Sequence, residues 1–131
     1  MNFRFDNDRP IYIQLVEQLK LWIVSGTLQP GVRLPSVRDL ALSSKVNPNT
    51  MQKALVELEN QGFIYTERTN GKFVTTNQEL IECVKKELAK KNAQSYLFAM
   101  STLGISKKEA IIYLQEEGEE NNGITRIQTG I

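Results

Sequence analysis

Apolar residues near the start of the chain recur at the three- and four-residue spacing of an amphipathic helix. The predicted helix runs from about Ile11 to Ser25, and its buried face consists of Tyr12, Leu15, Val16, Leu19, Trp22 and Ile23. Gly26 is placed to end it as a C-terminal cap. The next segment, TLQPGVRLPS, holds two prolines and a glycine, which predicts a tight turn with an extended exit.

A second, short helix is predicted after this turn. Ser36 can cap it, and Asp39 takes the place of the capping-box glutamate three residues on. The helix ends near Leu42 or Ser43. Its apolar side consists of Val37, Leu40 and Ala41.

A third helix follows after only three or four residues. Asn47 caps it, and Pro48 occupies its first turn, where a missing N–H costs nothing. Gly62 ends it. Its buried face consists of Met51, Ala54, Leu55 and Leu58.

The segment after Gly62 is predicted to be a β-hairpin. β-branched and aromatic residues fill two runs, 63–66 and 72–76, with Arg68-Thr69-Asn70-Gly71 between them. The order helix, helix, tight turn, helix, hairpin is that of a winged helix-turn-helix domain. We therefore predict a mainly α fold with a small β-hairpin wing, formed by residues 1–76.

The remaining chain is predicted to be a two-helix C-terminal dimerisation segment, residues 77–118. Asn77 caps a helix that runs to about Leu103, where Gly104 stops it, and Ser106 with Glu109 forms a capping box for the next. Two helices cannot form a core alone. They bury their apolar stripes against the first domain or against a second copy, and their length favours the second copy.

The candidate dimerisation residues are Leu80, Ile81, Val84, Leu88, Tyr96, Leu97, Met100, Leu103, Ile111 and Leu114. The last residues, 119–131, are polar and glycine-rich without a helical period. They predict a tail that is flexible or depends on a partner for its structure.

Composition places the chain among compact proteins with one core. It has 131 residues, of which 40% are hydrophobic and 24% charged. No apolar run approaches the roughly 20 residues of a membrane span, and the N-terminus lacks a signal-peptide pattern. We expect a cytoplasmic protein with no membrane partner. The net charge of +1 does not by itself indicate a nucleic-acid-binding domain.

The chain has one cysteine, Cys83, and no histidine. An intramolecular disulfide and a multi-cysteine metal site are therefore excluded. The usual general base and the commonest metal ligand are also missing. The acidic residues are scattered along helical faces rather than paired. We expect no catalytic residue, no metal and no cofactor, and an enzyme is disfavoured.

The first turns of the third helix carry the candidate chemistry. Asn49, Gln52 and Lys53 are predicted to lie opposite its buried face. There, amides can pair with adenine, and lysine can reach guanine or phosphate. These residues fit a DNA-recognition helix, but they fit an ordinary solvated helix start equally well.

The hairpin adds positive charge next to this helix. Arg68 and Lys72 flank Asn70-Gly71, which we expect to form a tight turn that can follow a phosphate backbone or enter a minor groove. Any exposed hairpin could have the same composition. Its position directly after the third helix is more informative than its residues.

The start of the second helix suits an anion. Ser36 and the first backbone N–H groups point outward there, and Arg38 lies in the first turn, where a cation is mildly unfavourable unless it meets a phosphate. The alternative is that Arg38 pairs with Asp39 or another surface carboxylate. Both interpretations remain open for Arg33 as well.

These motifs together resemble the DNA-binding domain of the GntR family of bacterial transcription regulators. The resemblance covers Pro10 to Val74. Its most specific parts are GVRLPSVRDLA from Gly31, NPNTMQKALVELENQG from Asn47, and GKFV at the end of the hairpin. It implies a sequence-specific DNA-binding transcription regulator.

The resemblance implies DNA contacts in the second helix, the third helix and the wing. With their polar neighbours, the candidate DNA-binding residues are Arg33, Ser36, Arg38, Asn47, Asn49, Thr50, Gln52, Lys53, Arg68, Asn70, Gly71 and Lys72. Thr69 stands where relatives carry a wing glycine, so we expect a less flexible tip. Pro48 and Gln52 stand where relatives can carry arginine, so we expect weaker phosphate anchoring and a different base preference.

The short C-terminal part resembles that of the YtrA subfamily, in which this segment mainly dimerises and the regulated genes often encode ABC transporters. The resemblance implies a homodimeric repressor that binds double-stranded DNA at a pseudo-palindromic operator. The sequence leaves the effector open; one would bind at the dimer interface or near Thr75 to Gln78. A winged-helix protein-interaction module is the alternative hypothesis, and a small enzyme is a distant third.

Overall fold

A computed structural model describes residues 1–124, over which the chain forms five helices and one two-stranded antiparallel sheet. The elements are α1 (Ile11–Val24), α2 (Val37–Ser44), α3 (Pro48–Asn60), β1 (Ile64–Glu67), β2 (Gly71–Val74), α4 (Gln78–Thr102) and α5 (Lys107–Ile124). The predicted mainly α fold with a hairpin wing is confirmed. Over residues 1–124, every helix is too short or too polar for a membrane span.

The chain divides into two compact units, Met1–Lys86 and the part from Glu87 onward. The first turns of α4 belong to the first unit, where Ile81 is only 5% exposed. A Cβ on Gly62 would lie 3.4 Å from Cδ2 of Leu80. The compact first unit therefore reaches Lys86, beyond the boundary at Thr76 that the end of the hairpin suggested.

The core of the first unit lies where α1 packs against α3 and α3 against α2. The side chains of Leu15, Leu19, Met51, Leu55 and Leu58 are fully buried there. Each such side chain contributes about 1.5–3 kcal/mol through removal from water. Because one side of α3 is taken up by this core, its other side is left to solvent.

The predicted helix caps are confirmed. Ser36 Oγ accepts a hydrogen bond from Asp39 N–H at 3.1 Å, Asn47 Oδ1 from Asn49 N–H at 2.8 Å, and Asn77 Oδ1 from Leu80 N–H at 3.1 Å. Each cap satisfies a backbone donor that the helix itself leaves unpaired. At the other ends, Gly26 and Gly62 follow α1 and α3 with φ of 86°.

The turn between α2 and α3 depends on one residue in the left-handed region. Lys45 has φ 59° and ψ 39°, and no other non-glycine residue in the described part of the chain has a positive φ. The N–H of Val46 donates to the Ala41 carbonyl at 3.1 Å, which completes the reversal of a Schellman-type helix end. The helix ends at Ser44, slightly later than predicted.

The wing has a different turn from the one predicted. The strands pair from Ile64 with Val74 to Glu67 with Gly71, and Asn70 N–H donates to the Glu67 carbonyl at 3.1 Å. The turn is therefore centred on residues 68 and 69, and the prediction of a turn at Asn70-Gly71 was wrong. Gly71, the residue after this turn, has φ 99°, a left-handed conformation that glycine adopts without the strain of a Cβ.

A third segment pairs with the other edge of β2. The N–H groups of Gly31 and Leu34 donate to carbonyls of β2 at 2.9 and 2.8 Å, and Val74 N–H donates back to the Val32 carbonyl at 2.9 Å. This segment is the extended exit that the two prolines predicted. It leads directly into the start of α2, so the position of α2 is tied to the wing.

The residues before α1 are held against it by side chains that the sequence did not single out. Gln14 is 3% exposed; its Oε1 accepts from Asp6 N–H at 2.9 Å and its Nε2 donates to the Arg9 carbonyl at 2.8 Å. The Glu17 carboxylate lies 2.8 Å from Nη1 of Arg9 and raises the pKa of Arg9 through this hydrogen bond.

In the second unit, α4 and α5 are joined by a capped turn. Glu109 N–H donates to Ser106 Oγ at 3.2 Å, and Ser106 N–H donates to Glu109 Oε1 at 3.4 Å, which confirms the predicted capping box. The Tyr96 hydroxyl donates to the carbonyl of the fully buried Ala110 at 2.6 Å. The helix α5 continues past Gly118 to Ile124, so the predicted tail begins as helix; residues 125–131 lie outside the described part.

The left-handed Lys45 gives a test of the turn between α2 and α3. Lys45→Val is expected to lower the free energy of unfolding by about 1–2 kcal/mol, because a β-branched side chain is strained at this φ. Lys45→Gly is expected to stay near the wild type, since relief of strain offsets its greater freedom in the unfolded state. Urea unfolding followed by circular dichroism measures both, and equal stability of the two variants would contradict the observed backbone conformation.

Candidate nucleic-acid interface

The outward face of α3 is polar over its first turns. At about 100° per residue, the buried positions of the helix share one side. Asn49, Gln52 and Lys53 fall on the other side and are exposed, as predicted. The face therefore offers two amides and an ammonium group to a partner, which is the chemistry that reads base edges in a major groove.

This face has two edges with different neighbours. At one edge, Lys53 lies beside Tyr12, the second residue of α1. At the other, Glu59 Oε1 accepts a hydrogen bond from Thr66 Oγ1 of the wing at 2.9 Å. Six residues at about 100° each place Lys53 and Glu59 about 120° apart around the helix. The outward face of α3 is thus bordered by the start of α1 and by the wing.

The capping residue Asn47 and the neighbouring Thr50 are less available than Asn49. The side-chain oxygen of Asn47 is occupied by its hydrogen bond to Asn49 N–H, and Thr50 is half-buried. The structure therefore assigns Asn47 a clear role in starting α3. Asn49, one position past the proline, points its exposed amide away from the core.

The start of α2 lies next to the wing. A shallow groove between them is lined by Arg33, Ser36, Arg68 and Gly71, among others. Arg38 is exposed, and no carboxylate among the described side chains forms an ion pair with it. The alternative in which Arg38 pairs with Asp39 is therefore not what the structure shows. A cation left unpaired at a helix N-terminus is favourable only near an anion.

Arg33 lies across the base of the wing tip. A Cβ built on Gly71 would come within 3.2 Å of Arg33 Nε and 3.4 Å of Nη2. Gly71 suits this position chiefly because of its φ of 99°; a Cβ there would also press on the flexible guanidinium group of Arg33. Arg33, from the segment that pairs with β2, thus adds a second cation to the groove that Arg68 also lines.

Lys72 was predicted as a DNA contact of the wing, but its ammonium group contacts β1 and α3 instead. Its ammonium group donates to Thr66 Oγ1 at 3.0 Å and lies 3.4 Å from Glu59 Oε1. The side chain of Lys72 is only 19% exposed. Its charge is thus partly balanced by the carboxylate of α3, and it holds the wing to α3 instead of standing free at the wing surface.

The wing tip itself is exposed and its stem is stiffened. Arg68, Thr69 and Asn70 are all exposed. Below them, the rings of Tyr65 and Phe73 stack across the two strands with centroids 5.6 Å apart. The predicted contact residues at the tip are therefore presented on a hairpin that is braced on both faces.

The candidate dimerisation residues fall into three groups by exposure. Ile81 is buried inside the first unit and is not available to a second copy. Half-buried positions are Leu80, Val84, Leu88, Tyr96, Leu97 and Met100. Exposed positions are Leu103, Ile111 and Leu114, joined by Phe98, Ile112 and Tyr113, which the sequence interpretation omitted.

Local sequence patterns do not single out these omitted residues. Ile112 and Tyr113 fall outside a stripe with three- and four-residue spacing, and Phe98 follows directly after Leu97. The periodicity of one buried face therefore does not include them.

The contact of Tyr12 with Lys53 joins residues that are far apart in sequence. Local sequence patterns carry no signal for it.

Comparison with known proteins agrees with this geometry. Residues 11–74 match the family described as bacterial regulatory proteins, gntR family. The chain is 35% identical over 111 residues to the HTH-type transcriptional regulator YhcF of Bacillus subtilis, covering 85% of this chain and 92% of that protein. The chain belongs to the GntR family. It is also 46% identical over 68 residues to the HTH-type transcriptional repressor YtrA of Bacillus subtilis, covering 52% of each chain.

Solved structures show the same GntR architecture. A GntR family transcriptional regulator from Listeria monocytogenes is similar with a TM-score of 0.77 and 40% identity, covering 86% of this chain and 98% of that one. The DNA-binding domain of AraR in complex with operator ORX1 is similar with a TM-score of 0.51 and 28% identity, covering 55% of this chain and 93% of that one. The chain is thus a DNA-binding transcription regulator of the GntR family and not an enzyme.

The ion pair between Lys72 and Glu59 gives a test of the wing of this GntR protein. Glu59→Gln is expected to strengthen DNA binding by less than about tenfold and to steepen its salt dependence by up to about 0.9 per half-site, because Lys72 becomes free for a phosphate. The thermal stability should change little, since an ion pair that solvent can still reach contributes about 0–1 kcal/mol and the glutamine oxygen can still accept from Thr66.

Glu82→Gln is the matched control for this test. It removes the same charge from an exposed position of α4 and leaves the ion pair of Lys72 with Glu59 intact. Fluorescence anisotropy over a salt series measures both variants. An equal gain in the two would show that total charge, and not the release of Lys72, is responsible.

Proposed function

We propose that this protein is a homodimeric repressor that places the first turns of α3 in the major groove of each half of a pseudo-palindromic operator. The single observation that supports the proposal best is the outward polar face of α3, with Lys53 at one edge and the wing, which bears Arg68, at the other. Relatives named as repressors and the operator complex of AraR support it further. The proposed site of action is the cytoplasm, where the chromosome lies.

In this proposal, three elements divide the work of binding. Asn49 and Gln52 read base edges, since amides pair bidentately with adenine. The start of α2, with Ser36 and Arg38, meets a phosphate at its backbone N–H groups and guanidinium. The remaining proposed contacts are Arg33, Asn47, Thr50, Lys53, Arg68, Asn70 and Gly71, with Lys72 supporting the wing from behind.

The second unit supplies the proposed dimer contact. Phe98 and Leu103 are each 72% exposed, and residues 111–114 of α5 are all exposed apolar side chains. Apolar surface of this extent on two helices favours a partner with a matching face, and a second copy of the same chain has one. Two modest half-site interactions joined in one dimer gain effective concentration, which compensates for the net charge of only +1.

The proposal extends to the regulated genes and to an effector. Resemblance to the YtrA subfamily makes ABC transporter genes the first targets to examine. An effector would act at the dimer contact or at the junction of the wing with α4. There, Thr75 Oγ1 accepts from Asn77 N–H at 3.0 Å.

Operator binding is tested by Arg38→Ala combined with Gln52→Ala. The double variant is expected to bind a labelled duplex spanning the protein's own promoter at least tenfold more weakly, because each good polar contact to DNA contributes about 1–3 kcal/mol. Anisotropy titration measures the affinity, and circular dichroism checks the fold.

The matched control for operator binding is Lys86→Ala combined with Gln94→Ala, which removes one cation and one amide from exposed positions of α4. The alternative function, docking of a protein on α3 and the wing, predicts no promoter binding by the wild type. Wild-type binding that both double variants retain would contradict the assigned contact residues.

Dimerisation is tested by Leu114→Asp. A carboxylate at this exposed apolar position of α5 is expected to shift the protein towards monomer at micromolar concentration, because a charge would be buried unpaired in the contact. Multi-angle light scattering gives the mass, and Gln94→Asp adds the same charge at an exposed polar position. A wild-type protein with a monomer mass would contradict the proposed dimer.

A further inference from the structure

The ammonium group of Lys53 lies 3.9 Å from the centroid of the Tyr12 ring. Tyr12 is the second residue of α1, and Lys53 is exposed on the outward face of α3. A cation this close to an aromatic face is held by the ring quadrupole. We propose that Tyr12 is a positioning residue for DNA binding, which holds Lys53 ready for a phosphate at the edge of the major groove remote from the wing. This inference rests on the proposed function.

The contact with a ring preserves the positive charge of Lys53. Lys72 shows the opposite arrangement, because its ammonium group lies against the Glu59 carboxylate. A carboxylate would have to be displaced, or would repel the DNA, before a lysine could bind a phosphate. A tyrosine ring is neutral, so Lys53 can keep the ring on one side and bind a phosphate oxygen on the other.

The two carboxylates that line a cleft with Tyr12 are engaged by other groups. Glu17 and Glu57 line the same shallow cleft as Tyr12. Glu17 is bound by Arg9 at 2.8 Å, and Glu57 accepts from Gln61 at 2.7 Å. Within the described side chains, Lys53 forms no ion pair. Its charge is therefore available, although two acidic residues lie nearby.

The location of Lys53 on α3 defines which phosphate it would meet. Arg33 and Arg68 lie on the wing side of the helix, and Lys53 lies about 120° away from the wing-facing Glu59, on the side of α1. A helix in a major groove has one phosphate backbone along each side. The pair of Tyr12 and Lys53 thus serves the backbone that the wing does not reach, and the helix is fixed from both sides.

The physical gain is pre-organisation. A free lysine side chain loses much of its rotamer freedom when it binds a phosphate, and a ring that already restricts it removes part of that loss. Tyr12→Leu keeps the charge of Lys53 but removes the ring face. It is expected to weaken promoter binding at least about fivefold, because the effect is repeated in both half-sites of the dimer.

The experiment is a double-mutant cycle on the full chain, with a fluorescein-labelled duplex of its own promoter as the probe. The variants are Tyr12→Leu, Tyr12→Phe, Lys53→Met and the combination of Tyr12→Leu with Lys53→Met. We expect Tyr12→Phe to bind like the wild type, because the ring face is retained. Lys53→Met should reduce the salt dependence of log K by about 0.9 for each phosphate that the lysine neutralises in the wild type. In the Lys53→Met background, Tyr12→Leu should have less than about a twofold further effect.

Each other result overturns the inference. If Tyr12→Leu weakens binding equally with and without Lys53, the tyrosine supports the fold of α1 and does not position the lysine. If Tyr12→Leu binds as well as the wild type, the ring does not position Lys53, and if it binds better, the ring restrains Lys53 away from DNA. Weaker binding by Tyr12→Phe would assign the role to the hydroxyl group. No binding by the wild type would instead overturn the proposed function itself, and this role of Tyr12 with it.

Discussion

The pairing of residues 31–34 with the edge of β2 is the constraint on which the proposed DNA-facing surface depends. Without these backbone hydrogen bonds, the start of α2 and the wing would be separate elements joined only through α3. These hydrogen bonds hold the start of α2 in a fixed position beside the wing. Ser36 and Arg33 therefore keep a constant position relative to the wing tip. The two prolines that flank the segment fix its extended shape, so a feature of local sequence determines how distant elements meet.

The helix α3 connects that border to the rest of the domain. Its apolar side packs against α1 and α2. The turn at Lys45 and the cap at Asn47 determine the residue at which the helix begins, and this leaves its polar side exposed. Glu59 ties the same helix to the wing through Thr66 and Lys72. The orientation of the polar face is thus fixed by contacts that lie on the sides and back of the helix.

Local rules predicted most of this fold. Caps at Ser36, Asn47, Asn77 and Ser106 and glycines after α1 and α3 could be located because each depends on a few consecutive residues. Three features could not. The ion pair of Lys72 and the ring contact of Lys53 depend on how separate elements pack. The third is the position of the wing turn, which is centred on Arg68-Thr69 and not on the predicted Asn70-Gly71. The strand pairing of Glu67 with Gly71 determines this position.

The four consecutive apolar residues at 111–114 have a consequence for the proposed dimer. Four successive helical positions point in all directions around the axis, so a single flat contact cannot cover them. A partner that encloses α5 on several sides would make folding of this helix part of assembly. Thermal stability would then rise with protein concentration. For a regulator present in few copies per cell, synthesis rate would then decide what fraction of the chains is competent to bind DNA.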